Sequence, residues 1–137
     1  MRFMMLMYPG ARAEGGAIPD AKVFEAMMKY NEELAKAGVL LGLDGLRPTK
    51  DGARVRLRGG RKSVVDGPFT EAKEIVGGYW MIQVRSREEA VEWAKRIPLE
   101  NEAEDAFVEL RQVYEVSDFG PEVEKLAEPV AERLAKK

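Results

Sequence analysis

Apolar residues fall in two rhythms along this chain. In "FMMLMY", Phe3 to Tyr8, every position is apolar, which predicts a strand buried on both faces. Tyr79 to Val84 is likewise apolar on both sides, and Val39 to Leu46 and Phe107 to Val116 add two more strands. Between the first pair, Val23, Phe24, Met27, Met28, Leu34 and Ala35 recur at helical spacing. Asp20 is placed to cap the start of that helix and Gly38 to stop it. Ala11 to Pro19 reads as a polar loop. "RVRLR" and "SVV" flank Gly59-Gly60, whose tolerance of positive φ suits a tight hairpin.

Ser86 and Glu89 form an S-x-x-E capping pattern ahead of a second helix carrying Ala90, Val91, Ala94 and Ile97, which Pro98 ends. From Phe119, the residues Val123, Leu126, Ala127, Val130 and Leu134 share one helical face, with a bend expected at Pro129. The order is β-α-β, hairpin, β-α-β. It predicts an α+β fold: a ferredoxin-like antiparallel sheet with two helices on one face. Residues 1–118 would form the domain and 119–137 a C-terminal helical extension. Two helices cover one sheet face, yet both faces are apolar. A second copy of the chain is therefore expected on the other, giving a homodimer. The tail stripe is expected to pack on its own subunit or across that dimer.

Composition narrows the chemistry. At 137 residues, 45% of them hydrophobic, the chain can bury a sizeable core. A net charge of −2 gives no global pull towards nucleic acid or anionic membrane. Zero Cys and zero His remove thiol chemistry, the commonest metal ligand and the usual neutral-pH base. The apolar start is far shorter than the ~20 residues that span a bilayer. Pro9-Gly10 follows it as a turn rather than a cleavage site, so a cytoplasmic protein is expected. Neither a cofactor nor a metal is expected: there is no GxGxxG, no P-loop, no nucleophile elbow and no D-x-D spacing.

The stretch "DGPFTEAKEIVGGYWMIQV" carries the densest signal. With "AGVLLGLDGLRP" before it and "SREEAVEWAKRIP" and "VELRQV" after it, it closely resembles the YCII-related proteins of the DGPF-motif type, from Met1 to about Val116. That resemblance implies a dimeric α+β barrel. It also implies bacterial settings linked to alternative sigma factors, and members mostly without a characterised function. The wider group is thought to use a His–Asp pair in a pocket. Aligned on "AGVLL", that His falls near Met27, and a chain without His cannot carry the pair. Any catalysis would then run through Asp66, Glu71, Glu74, Tyr30 or a bound cofactor.

Asp66-Gly67-Pro68-Phe69 reads as a rigid corner that aims Phe69 and the charges after it. Asp66 is the candidate acid or base, since a carboxylate in an apolar pocket can serve either role, and it is equally a candidate pocket polar group. Its side chain is expected to be buried near a cleft, taking hydrogen bonds from amides of the 67–71 corner. A plain turn with a solvated charge cluster explains the same residues. Tyr30, Asn31 and Glu33 are candidate polar groups on the first helix, and Arg111 is a candidate partner for Asp66 or for a ligand carboxylate. The plain alternatives are a solvated helix face and an exposed pair with Glu109. Arg54, Arg56, Arg58, Arg61 and Lys62 read as a solvated hairpin face, because no aromatic residues are interleaved with them. The ligand-binding set is thus Tyr30, Glu33, Asp66, Phe69 and Arg111. Two readings stay open: a small-molecule-binding or regulatory accessory protein using a cleft near the dimer interface, or a cofactor-independent enzyme with Asp66 as acid or base. The missing His favours the first.

Overall fold

Strand β1, Arg2–Tyr8, lies in the middle of a four-stranded sheet whose order in space is β2-β5-β1-β6. The other members are β2 (Leu40–Gly45), β5 (Gly78–Gln83) and β6 (Phe107–Gln112), all paired antiparallel. This is a computed structural model, and it describes residues 1–99 and 105–136. The chain interleaves helix α2 (Ala21–Lys36) between β1 and β2, and helix α3 (Arg87–Lys95) between β5 and β6. The sheet order and the two crossovers reproduce the expected ferredoxin-like topology.

Alternation along β1 divides the sheet into two faces. Phe3 and Met5 are buried and pair across to Ile82, Trp80 and Leu110, and they meet Tyr30 and Leu34 of α2 and Ala90 of α3 in the core. Asp20 caps α2 by accepting a 3.0 Å hydrogen bond from Val23 N, and Gly38 follows the helix end at a φ of 74°. Ser86 likewise accepts from Glu89 N at 3.1 Å, but the Glu89 carboxylate returns to Arg85 N at 3.0 Å rather than to Ser86 N. The capping box is therefore displaced by one residue.

The opposite face carries Met4, Leu6 and Tyr8, with Met81 and Tyr79 beside them on β5 and Phe107, Glu109 and Arg111 on β6. Tyr8 and Phe107 stack with ring centroids 4.5 Å apart. Among the described residues no helix contributes a buried side chain here.

The hairpin forms its own two-stranded sheet of β3 (Ala53–Arg58) and β4 (Arg61–Asp66). Gly59 and Gly60, at φ 56° and 76°, make its two-residue turn. Cross-strand pairs share a face, so Val55 and Val64 lie together while Arg54, Arg56, Arg58 and Arg61 share the reverse side.

Three expectations change. Ala11–Glu14, read as loop, forms a short helix α1. The last strand ends at Gln112 instead of Val116, where a 3-10 turn, Val116–Phe119, takes over. The tail does form helix α4, Pro121–Ala135, and Pro129 lies inside it. Its apolar stripe, however, is mostly left open by the described residues of its own subunit: Leu126 is 78% and Val130 62% exposed. Among the described residues no helix is long and apolar enough to cross a membrane.

Candidate functional site

Where β1 and β2 finish and β5 and β6 are about to begin, the sheet and α2 part to leave a cleft of about 850 Å³. Its apolar wall comprises Met7 from β1, Val23, Phe24 and Met27 from α2, and Ile75 ahead of β5. Pro98 and Leu99 close it from the end of α3, and the α1 segment with the following Gly16–Pro19 loop forms the outer rim. The packing at its floor is close. Gly77 N donates to Met7 O at 2.7 Å, and a Cβ on Gly77 would lie 2.6 Å from Pro9 Cγ. That position therefore needs glycine.

Among the described residues, four charged side chains reach this cleft: Arg12, Glu14, Asp20 and Arg47. Three are already engaged. Asp20 holds the first turn of α2, and Arg47 pairs with Asp51 at 3.0 Å. Glu14 accepts a 2.7 Å hydrogen bond from Thr49 N and a very short one from the Thr49 hydroxyl. The same Thr49 oxygen accepts from Phe69 N at 2.9 Å. The Asp-Gly-Pro-Phe corner is thus tied through Thr49 to the cleft rim.

The motif supports the cleft without lining it. Asp66 is exposed at the end of β4, and its carboxylate takes no hydrogen bond from a described residue, contrary to the buried, amide-bonded carboxylate expected. Thr49 does that work instead. Gly67 N donates to Gly52 O at 3.1 Å, and the Gly67–Pro68 peptide is cis. Phe69 turns away from the cleft and lies under Arg54, whose guanidinium carbon is 3.8 Å from the ring centroid.

The other candidates are dispersed. Tyr30, one turn beyond Met27 on α2, is in the core, and its hydroxyl donates to Trp93 O at 2.7 Å. Burial pushes its pKa well above the ordinary phenol value, with Arg96 opposing and Glu33 reinforcing. Neighbouring Asn31 accepts from the Trp80 indole at 2.7 Å. Glu33 pairs with Arg96 at 2.7 Å on the outside of the helix layer. Arg111 stands on the open sheet face with Glu109 at 3.7 Å, so the exposed pair holds and Asp66 is not its partner. On the same face, the Tyr79 hydroxyl donates to Asp44 at 2.9 Å, and that bond raises its pKa. None of Tyr30, Glu33, Asp66, Phe69 and Arg111 lines the cleft. Met27, near which the resemblance places a His, does.

Sequence reasoning missed Arg12, Glu14 and Thr49. Glu14 and Thr49 meet across 35 positions, and neither lies in a periodic segment. The one local hint was Pro9-Gly10: Gly10 sits at φ 98° and turns the chain from β1 directly into α1.

Among the described residues no group of three or more acidic side chains is placed to hold a metal ion. From the described residues the cleft can offer apolar surface, a few polar groups and one unpaired cation, Arg12.

Two comparisons bear on identity. An uncharacterised protein of Rhizobium meliloti (strain 1021) is 33% identical over 76 residues, which is 56% of this chain and 61% of that relative. The chain thus spans less than two thirds of that relative's length. A family model described as YCII-related domain matches residues 1–117, and the chain belongs to the YCII-related family.

Proposed function

We propose that this protein binds a small molecule in the cleft between α2, the α1 rim and the ends of β1 and β2, and that it does so as a homodimer. The cleft carries the reading. Its volume of about 850 Å³ falls in the roughly 300–1,000 Å³ range of small-molecule sites, and it joins an apolar wall to a few polar groups. Support for the dimer comes from the open sheet face, where Met4, Leu6, Tyr8, Met81 and Phe107 are left without a helix. A second copy placed by a two-fold axis would cover them. Acid–base chemistry at Asp66 loses its main support, because that exposed carboxylate lacks the apolar surroundings it needs.

The test is a fragment screen read by amide and methyl chemical shifts. Ligands should move Met7, Met27, Ile75 and Gly77 together. Shifts confined to the hairpin or to α4 would sink the cleft as the binding site.

A further inference from the structure

Resting on the cleft reading, we infer that its ligand is a small amphiphilic anion: an apolar body seated against Met7, Phe24, Met27 and Ile75, with one carboxylate or comparable anionic head paired to Arg12. The wall is apolar on its inner side, so the body of the ligand must be apolar too. The head follows from the state of the four charged groups that line the cleft among the described residues. Asp20 is spent on the α2 amide of Val23, and its charge offsets the positive end of that helix. Arg47 is held by Asp51. Glu14 is turned towards Thr49 by two hydrogen bonds, and it sits two positions from Arg12 on α1, a spacing that puts the side chains on different sides of a helix. Arg12 makes no ion pair or side-chain hydrogen bond with any described residue. It is a rigid fork of donors at the mouth of an apolar cavity, which suits a planar carboxylate or a phosphate-like group. A cationic head would meet Arg12 at the rim with Glu14 already occupied. A neutral head would leave the guanidinium as it is and gain nothing from it.

Three probes of one shape separate these cases: octanoate, octanamide and octylammonium, titrated by calorimetry against the full chain at low ionic strength. Octanoate should bind up to about fivefold tighter than octanamide, as expected for one partly exposed ion pair, and octylammonium should bind weakest. The advantage of octanoate should shrink as salt is added. Arg12→Gln should bring octanoate down to the affinity of octanamide and leave octanamide unchanged. Met27→Trp, which fills the cleft, should abolish both, with Val23→Trp as a second blocking variant if melting shows that the first is misfolded. If octanamide or octylammonium binds as tightly as octanoate, and a blocking variant removes that binding, the cleft stands and the anionic head is wrong. If no probe binds, or if binding survives both folded blocking variants, the cleft reading fails and this inference falls with it.

Discussion

A Cβ on Gly67 would overlap the carbonyl oxygen of Thr49, so the corner after β4 can close only on glycine. The reason is contact, since Gly67 is absent from the glycines with positive φ. The obstacle is backbone, which cannot swing aside as a flexible side chain would. Gly67→Ala should therefore cost about 2 kcal/mol or more in urea unfolding, at the upper end of overpacking effects. Asp66→Asn, on an exposed residue whose carboxylate has no partner among the described residues, should stay within about 0.5 kcal/mol of the parent. If the order of the two effects were reversed, the corner would owe its shape to the Asp carboxylate.

Thr49→Val isolates the link from that corner to the cleft. The hydroxyl accepts from Phe69 N and donates to Glu14, and valine keeps the shape while deleting both bonds. The cost should be about 1–2 kcal/mol of stability, with Thr49→Ser close to neutral. Ligand affinity should fall with Thr49→Val as well, because Glu14 and the α1 rim lose an anchor. Full affinity in a folded Thr49→Val protein would show that the rim holds itself.

Tyr30 supplies a pH dependence whose sign follows from its burial. The phenol pKa is raised in the folded chain. Below about pH 10, the ordinary Tyr value, the group is protonated folded or unfolded and its contribution is constant. Above that, the unfolded chain releases the proton first and binds fewer protons than the native state, so stability falls as pH rises towards the folded pKa. Tyr30→Phe should lose about 0.5–1.5 kcal/mol at neutral pH, since Trp93 O keeps its bond from Arg96 N when the hydroxyl is gone. Its unfolding free energy should also decline less steeply above pH 10. Parallel alkaline slopes in the two proteins would assign the decline to other groups.

These residues mark what the sequence could convey. Strands and helices were legible where one periodic signal agreed with its caps, as with Asp20 and Gly38 around α2 or Gly59-Gly60 between β3 and β4. The family signature was legible because Asp-Gly-Pro-Phe is a local motif with local geometry. The cleft was not. Its wall joins Met7, Met27 and Ile75, which look like ordinary core positions, and its rim depends on a bond between Glu14 and Thr49 that no spacing rule anticipates. Asp66 belongs to the most distinctive motif of the chain, yet it is exposed and does not line the cleft. In the fold that distinctiveness has a mechanical cause, the fit of Gly67 against Thr49.

Dimerisation and the tail can be separated by one pair of variants. Met81 lies opposite Met4 on the open sheet face, so Met81→Asp places a charge where a second copy would bury it. Wild-type protein at low micromolar concentration should sediment at about twice 15.4 kDa, and Met81→Asp should sediment as the monomer. Helix α4 has no buried residue, and its main contact is with the 3-10 turn just before it. Deleting residues 120–137 from the monomeric Met81→Asp protein should therefore leave its melting temperature nearly unchanged. The same deletion in the wild type should lower the melting temperature or the solubility if the Val123, Leu126, Val130 stripe packs across the dimer, because only there does the stripe have anything to cover. A loss of equal size in both backgrounds would mean that α4 stabilises its own protomer, and the intersubunit role for the stripe would be wrong. A Met81→Asp protein that still sediments as a dimer would move the interface off the open sheet face altogether.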